Sequence, residues 1–296
     1  MHLRPLPPPT LANLYPPIPG HRYFDAPAGR VFDPGAALGD AWLAWWLAEH
    51  ALLAYERAGP VEQTLAGRGY RVHQVRHRAS GGVAYAAIGP DHGILAFRGT
   101  EALKPGDSLR KLSAVARDWW TDARVKQVPC AHGGRVHEGF QKALDALWQE
   151  LAVSLPQAPR WWCCGHSLGG ALAALASARI VDAGAALAGT LSYGQPRVGD
   201  AGLARHLDTL PLLRIVNASD LVPDMPPEAL GYRHAGALRH LDPERHRDYG
   251  QRMRDYFAQL QSHLRGGLAA LTPIELVDHA PLGYVVKAYN EALRGG

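Results

Sequence analysis

The sequence predicts an α/β fold in which a mainly parallel β-sheet is flanked by helices. Short apolar runs, typical of buried strands, alternate along the chain with longer patterns that favour helix. The 296 residues, with 47% hydrophobic content, are enough for one sizeable core. Because crossovers between parallel strands are right-handed, the carboxyl ends of these strands meet at one edge of the sheet, where we expect the functional residues.

The elements follow in order from a proline-rich N-terminus. Residues 1–35 are predicted as an extended arm, and residues 36–296 as a single domain. A ligand for a proline-reading domain is the alternative interpretation of the arm. Residues 40–57 predict a helix that is apolar on most sides, with its tryptophans in the core. The later predictions are strands at 70–77, 82–89, 93–99, 161–165, 189–194 and 212–217, and helices at 138–155 and 167–183.

Composition limits the classes of partner and the cellular address. The net charge of +4 arises from 31 basic and 27 acidic residues without a long basic run, which argues against a nucleic-acid partner. Two of the three cysteines, Cys163 and Cys164, are adjacent in a predicted buried strand, so we expect no disulfide framework. The N-terminus lacks the apolar run of a signal peptide, which predicts a cytoplasmic address and leaves secretion open.

One serine stands at a sharp boundary between a predicted strand and a predicted helix. The segment Gly165-His166-Ser167-Leu168-Gly169 has the pattern Gly-x-Ser-x-Gly, whose small flanking residues allow close packing while the serine adopts a strained conformation. Such a turn exposes the Ser167 hydroxyl at the edge of the sheet. An ordinary turn with an N-capping serine is the alternative.

A serine nucleophile needs a base to take its proton and an acid to orient that base. In α/β hydrolases the chain order is serine, acid, histidine. Asp220 lies shortly after the apolar run 212–217, in a proline-rich loop, and is the predicted acid. Asp224, four residues further on, is the alternative.

Several downstream histidines are candidates for the base. The densely charged run 239–250 is predicted as a solvated helix start, which disfavours the two histidines within it. His279 follows an apolar turn and precedes the last predicted helix, which favours its return to the sheet edge. His166 is excluded because it lies beside the nucleophile and cannot reach in from another loop. The candidates are His234, His240, His246, His263 and His279.

Attack on an ester carbonyl also requires an oxyanion hole. One donor is the backbone N–H after the nucleophile, which belongs to Leu168. The other is expected after an earlier strand, where the segment "FRGT" ends at Thr100. Thr100 offers both a backbone N–H and a hydroxyl, and each such donor contributes on the order of 3 kcal/mol of transition-state stabilisation.

Five blocks of the sequence, in this order, resemble those of the class 3 (fungal-type) triacylglycerol lipases of the α/β-hydrolase superfamily: "FRGT", "VHEGF", "GHSLGGA", "YGQPRVGD" and "RIVNASDLVPDMPP". The resemblance covers residues 95–227. The roles that it implies are nucleophile for Ser167, acid for Asp220, and oxyanion donors for Thr100 and Leu168. The family's Asp-His followed by Tyr is similar to Asp278, His279 and Tyr284, which implies His279 as the base, with His263 as the alternative.

The resemblance implies a serine hydrolase that cleaves carboxylic esters of lipids through an acyl-enzyme, without metal or cofactor. The alternatives are a phospholipase A1, a short-chain or aromatic-ester esterase, and a catalytically silent lipase-like binding protein. Leu109, Leu112 and Val115 recur among basic residues and predict a short amphipathic lid helix, which would contact a membrane or lipid-droplet surface. A surface helix that does not move is the alternative interpretation. His137, Arg197 and Arg98, within the matched blocks, are interpreted as structural.

Overall fold

The structure, a computed structural model, describes residues 2–14, 16–100, 126–245 and 277–295, together with the single positions 250 and 254. The expected lid helix and the candidate bases His246 and His263 lie outside the described residues. Of the helices that are described, none is long and apolar enough to cross a membrane.

A seven-stranded sheet forms the centre of the fold, and four short strands form a second sheet. The strands of the described part are β1 (Arg71–His77), β2 (Gly82–Ile88), β3 (Gly93–Phe97), β4 (Gln127–Pro129), β5 (Arg135–His137), β6 (Trp161–His166), β7 (Leu187–Tyr193), β8 (Gly199–Asp200), β9 (Leu212–Asn217), β10 (Tyr232–Arg233) and β11 (Ala237–Leu241). The central order is β1-β2-β3-β6-β7-β9-β11, and the small sheet has the order β10-β8-β5-β4.

The central sheet is parallel from β3 to β11 and antiparallel at its β1-β2-β3 edge. Residues 78–81 connect the antiparallel strands β1 and β2. In the parallel part, Phe97 of β3 pairs with Gly165 of β6, so the segments after these two strands leave the sheet at the same edge. The predicted α/β fold with a mainly parallel sheet is confirmed.

Helices cover both faces of this sheet. Those of the described residues are α1 (Leu11–Leu14), α2 (Ala41–Leu53), α3 (Ala58–Ala66), α4 (Glu138–Ala152), α5 (Leu168–Asp182), α6 (Ala201–Leu207) and α7 (Pro281–Gly295). The apolar residues of α2 and α7 pack on one face, and those of α4 and α5 on the other. Alternate residues of each central strand therefore enter opposite halves of the core.

The adjacent cysteines illustrate this alternation. Cys163 belongs to the half of the core under α4 and α5, whereas Cys164 belongs to the half under α2 and α7. Both are buried free thiols, and Cys130 is a half-buried free thiol. Burial raises the pKa of the Cys163 thiol to about 12, which keeps it protonated and unreactive.

Helix α2 begins where the sequence predicts and is buried on every side. The Asp40 carboxylate caps it by accepting a hydrogen bond from the Leu43 amide at 2.7 Å. Every residue from Leu43 to Leu53 is buried, including Glu49 and His50. The predicted core role of its tryptophans is therefore confirmed for Trp45 and Trp46, which are 0% and 8% exposed.

Two expectations about local structure need correction. Residues 239–241, the first of the charged run 239–250, are not helical, because Ala237–Leu241 forms β11 and pairs in parallel with β9. His240 is therefore a strand residue. The proline-rich arm also contains a helical turn, Leu11–Leu14, between its proline clusters, and it buries Ile18 and Phe24 in the core. The sequence pattern did not predict strand β11 or the helical turn of the arm, because contacts with distant segments stabilise both of them.

Candidate active site

Ser167 lies at the corner between β6 and α5 in a strained backbone conformation. Its φ of 57° and ψ of −127° are unusual for a residue with a side chain. The Ser167 amide donates to the carbonyl oxygen of Tyr193 at 2.8 Å, which ties the corner to the adjacent strand β7. The side chain is half-buried. This geometry is that of a nucleophile elbow, which presents the hydroxyl at the carboxyl edge of the sheet.

The two glycines of the motif permit the sharp turn. A Cβ at Gly165 would lie 2.2 Å from the carbonyl oxygen of Gly169, where the helix folds back on the strand. A Cβ at Gly169 would lie 2.1 Å from the carbonyl oxygen of Phe97 in β3. Both distances are far below van der Waals contact with a rigid backbone, so only glycine fits.

His279 lies between Ser167 and Asp220 and contacts both. Its Nδ1 is 2.8 Å from Oδ2 of Asp220, and its Nε2 is 3.0 Å from Oγ of Ser167. A carboxylate only accepts hydrogen bonds, so Nδ1 carries the proton and donates it. Nε2 is then the acceptor for the serine hydroxyl. This is the tautomer that a general base requires.

Asp220 is fully buried at the end of the loop after β9. Its Oδ1 accepts from the amide of Val222 at 2.9 Å, and its Oδ2 accepts from the hydroxyl of Tyr284 at 2.6 Å in addition to His279. Gly194, with φ +58°, lies against this pair, since a Cβ there would be 2.7 Å from Oδ2 of Asp220 and 3.0 Å from Nδ1 of His279. The carboxylate is thus held in one orientation toward the base.

The two expected oxyanion donors lie at the same sheet edge. Thr100 is three residues beyond Phe97, and Leu168 is the first residue of α5, whose first amides have no partner within the helix. The Thr100 hydroxyl oxygen is buried, and no hydrogen-bond partner lies within reach of it in the described part of the chain. A buried donor of this kind is suited to a charged oxygen that develops during a reaction.

The other candidates in the described residues are occupied elsewhere. Asp224 lies beside Arg197, with its carbonyl oxygen accepting from that guanidinium. Nε2 of His234 donates to the carbonyl oxygen of Pro223 at 2.6 Å, and burial holds the pKa of this imidazole well below its ordinary value. His240 is part of β11. His279 is therefore the histidine that the structure brings to Ser167 and Asp220.

The residues interpreted as structural have structural contacts. Nδ1 of His137 caps α4 by accepting from the amides of Gly139 and Phe140 at 3.1 and 3.3 Å. The Arg197 guanidinium donates to backbone carbonyl oxygens, including that of Pro226 at 3.1 Å. Arg98 donates to the carbonyl oxygen of Gly81 at 2.6 Å. These contacts match the sequence interpretation.

Sequence reasoning missed two contributors to the site. Gly194, whose glycine identity is required by its close approach to Asp220 and His279, was noticed only as part of the block "YGQPRVGD". Tyr55, at the end of α2, was assigned to a core helix, yet its hydroxyl lies 2.9 Å from Nδ1 of His166 beside the nucleophile. A lone tyrosine after an apolar helix carries no sequence signal for such a contact.

The strained serine, the base and the buried acid sit at the carboxyl edge of a mainly parallel sheet. This arrangement defines a site of the serine-hydrolase type on an α/β-hydrolase fold. Comparison with known proteins indicates which family of serine hydrolases this site resembles. Residues 94–230 match the family described as Lipase (class 3).

Individual relatives agree with that match. A lipase of Rhizomucor miehei is 34% identical over 138 residues, which cover 42% of this chain and 38% of that protein. The secreted mono- and diacylglycerol lipase 1 of Fusarium solani is 31% identical and covers 54% of this chain and 51% of its own length. Phospholipase A1-II 4 of Oryza sativa is 40% identical over 213 residues, which cover 58% of this chain and 51% of that protein.

Solved structures show the same fold. The triacylglyceride lipase of Rhizomucor miehei superposes with a TM-score of 0.56 at 25% identity and covers 68% of this chain and 79% of its own. A lipase from Rhizopus microsporus var. chinensis gives a TM-score of 0.56 at 21% identity, covering 73% and 84%. The chain therefore has the α/β-hydrolase fold, and over residues 94–230, a little under half of its length, it is similar to the class 3 lipases. It spans about half or less of the length of the three curated relatives above.

Proposed function

We propose that this protein hydrolyses carboxylic ester bonds of lipids, as a triacylglycerol lipase or carboxylesterase, with Ser167, His279 and Asp220 as its catalytic triad. The observation that carries the proposal is the continuous chain from Ser167 Oγ through His279 to Asp220, with contacts of 3.0 and 2.8 Å at a strained serine. The match of residues 94–230 to the class 3 lipases and the relatives named as lipases support the lipid ester as substrate class.

The reaction begins with attack of Ser167 Oγ on the ester carbonyl carbon. The new bond to carbon forms as the hydroxyl proton moves to Nε2 of His279, and the carbonyl electron pair moves onto oxygen. The backbone amides of Leu168 and Thr100, with the Thr100 hydroxyl, stabilise that oxyanion. Asp220 holds His279 in the correct tautomer and stabilises its positive charge.

Collapse of this intermediate expels the alcohol. The carbon–oxygen bond to the leaving group breaks, and His279 gives it the proton taken from Ser167, which leaves an acyl-enzyme. A water molecule then attacks the acyl carbon while Nε2 of His279 takes its proton, and the carboxylic acid leaves as Ser167 regains its hydrogen. The cycle needs no further reactant.

A phospholipase A1 specificity is the second candidate, because the rice relative with 40% identity carries that name. The triad geometry is the same for a triacylglycerol lipase and a phospholipase A1, so the preference for lipids with or without a phosphate headgroup must be measured directly. Emulsified triacylglycerol and phosphatidylcholine vesicles, compared at equal ester concentration, distinguish the two. Co-sedimentation with the same particles tests the proposed contact with a lipid surface.

The cellular location of the protein is a separate question from its substrate. The expected cytoplasmic location finds no support among the relatives, of which three are named as secreted. We propose that the protein acts outside the cytoplasm, on extracellular lipid. Immunodetection in washed cells and in culture medium tests this, and recovery in the cytosolic fraction alone would contradict it. The division into an arm, residues 1–35, and a single domain, residues 36–296, likewise remains our proposal.

Hydrolysis of p-nitrophenyl esters from short to long acyl chains is the test of the catalytic proposal. We expect Ser167→Ala and His279→Ala each to lower kcat by about three orders of magnitude or more. A fluorophosphonate probe should label the native protein and not Ser167→Ala. A native protein that is inert toward every ester and toward the probe would favour a lipase-like binding protein.

A further inference from the structure

A second hydrogen-bonded chain lies behind the triad and uses none of the triad side chains. It starts at the hydroxyl of Tyr55, just beyond α2, which lies 2.9 Å from Nδ1 of His166. Nε2 of His166 lies 2.7 Å from the backbone carbonyl oxygen of His279. On its other side the Tyr55 hydroxyl packs against Gly99, since a Cβ there would lie 2.0 Å from the hydroxyl oxygen. One tyrosine thus connects three separate segments.

The direction of each hydrogen bond follows from the chemistry of the end groups. A carbonyl oxygen only accepts, so Nε2 of His166 carries the ring proton and donates it to His279. Nδ1 of His166 then accepts from the Tyr55 hydroxyl. Burial holds the pKa of His166 well below its ordinary value and raises that of Tyr55. Both groups stay neutral, so the chain keeps this direction.

Each partner of the chain adjoins a proposed site residue. Gly99 precedes Thr100, His166 precedes Ser167, and the third partner is His279 itself. The packing at Gly99 leaves no room for a side chain, because a Cβ would lie 2.0 Å from the Tyr55 hydroxyl oxygen and 2.6 Å from the carbonyl oxygen of His166. The segments that contain Thr100, Ser167 and His279 are therefore held at a fixed spacing where they meet around Tyr55 and His166.

We propose that Tyr55 and His166 are positioning residues, which set the geometry among the oxyanion donors, Ser167 and His279. The inference rests on the proposed function, since turnover is the property that positioning serves. A displacement of about 1 Å between reacting groups can lower a rate by about 100-fold. Loss of one link in the chain should lower kcat by about 10-fold and leave KM nearly unchanged, because neither residue holds substrate.

A matched control exists at the opposite edge of the sheet. The Tyr70 hydroxyl lies 2.7 Å from Nε2 of His92, immediately before β3, in a buried tyrosine–histidine pair remote from Ser167. Tyr70→Phe removes the same kind of hydrogen bond as Tyr55→Phe. A purely structural role for Tyr55 predicts that the two variants lose similar stability and that neither changes kcat.

The experiment measures kcat, KM and the thermal unfolding midpoint for both phenylalanine variants on one p-nitrophenyl ester. Two further variants test the link through His166. His166→Gln places an amide nitrogen near the position of Nε2 and retains the donor to His279, whereas His166→Leu removes it. We expect Tyr55→Phe and His166→Leu to lose about 10-fold or more in kcat, His166→Gln to recover most of it, and Tyr70→Phe to retain it.

Two results would overturn the inference. If Tyr55→Phe keeps kcat within about twofold of the native protein, or if Tyr70→Phe loses as much, the chain has no positioning role. Either result leaves the proposed esterase function intact, because each is measured against a native protein that hydrolyses the ester. A native protein without ester hydrolysis would instead refute the proposed function, and this inference with it.

Discussion

The region that matches the lipase family, residues 94–230, differs from the flanking segments in what it gives to the candidate site. The matched region supplies Thr100, Ser167, Leu168 and Asp220, all on turns or loops that follow strands of the parallel sheet. The flanking segments supply His279 before α7 and Tyr55 after α2, two helices that pack together on one face of the sheet.

The two regions position their residues in different ways, the matched region by backbone packing and the flanking segments by side-chain contacts. Within the matched region, a Cβ added at Gly165 or Gly169 would lie within 3 Å of backbone atoms, which leaves no room for another residue. In the flanking segments, the base is positioned by two side chains of the matched region: the Asp220 carboxylate contacts its Nδ1, and the His166 ring contacts its backbone carbonyl oxygen. Tyr284 acts one step away, by donating a hydrogen bond to Asp220. Rigid strand-to-helix turns hold the nucleophile and acid, whereas the base depends on a helical layer outside the matched region.

That layer is anchored by the N-terminal arm. The Arg4 guanidinium stacks 3.7 Å from the ring centre of Tyr289 on α7 and lies 3.8 Å from the buried carboxylate of Glu49 on α2. The Arg4 backbone amide donates to, and its carbonyl oxygen accepts from, the Asn290 side chain, both at 2.8 Å. His21, also in the arm, contacts Glu49 at 2.9 Å. The arm thus satisfies a charge that α2 buries.

The largest expected effect is a loss of kcat on changing Asp220, the residue of the matched region that contacts His279 in the flanking segment. Asp220→Asn should lower kcat by about three to four orders of magnitude, because an amide that donates to Nδ1 would favour the wrong tautomer of His279. Ester hydrolysis measured beside Asp224→Asn checks this. The control should keep activity within about threefold, since Asp224 lies with Arg197. Equal losses would contradict the assignment.

The next effect is on the stability of the matched region. Gly169→Ala should lower the free energy of unfolding by about 3 kcal/mol or prevent folding, because its Cβ would lie 2.1 Å from the carbonyl oxygen of Phe97. Gly59→Ala, in α3 with no atom within 4 Å of the new Cβ, should stabilise by about 0.5 kcal/mol. Urea unfolding compares them, and a Gly169→Ala protein of native stability would refute the steric argument.

A smaller effect is expected at the arm. Arg4→Met should lower the free energy of unfolding by about 2 kcal/mol, because Glu49 is 0% exposed and loses a cationic partner. Arg22→Met is the control, since Arg22 is 82% exposed in its pair with Asp25, and it should change stability by less than about 0.5 kcal/mol. Similar unfolding midpoints for both variants would show that the arm is not an anchor.

The last effect is absent at neutral pH and appears only in acid, as a pH dependence at the cap of α4. Burial lowers the pKa of His137 to about 4, whereas the unfolded chain takes up this proton near pH 6.5. The contribution of neutral His137 is fully present above pH 6.5 and is lost as pH falls toward 4, at up to about 1.4 kcal/mol per pH unit.

The asparagine variant isolates that contribution. His137→Asn retains a capping oxygen but does not titrate, so the difference between the two stability curves should appear only in that pH window. The other buried histidines contribute equally to both proteins. Parallel curves from pH 7 to pH 4 would show that His137 is not kept neutral by the fold.

The sequence by itself determined the features that depend on local pattern. Alternating apolar runs gave the order of strands and helices, and the glycines around Ser167 predicted the sharp turn that the structure contains. The position of Asp220 after a strand followed from the same logic. These features are encoded within a few residues, because backbone sterics and hydrophobic period act over short distances.

The tertiary structure decided what depends on distant contacts. Local sequence favoured His279 without excluding every other candidate, and packing of the segment before α7 brings His279 to within 3.0 Å of Ser167. The polar strand β11 forms because β9 offers a free edge, against the pattern of its own residues. Tyr55 reaches His166 across 111 positions of sequence. Such contacts arise from the assembled layers of the fold, and no local pattern records them.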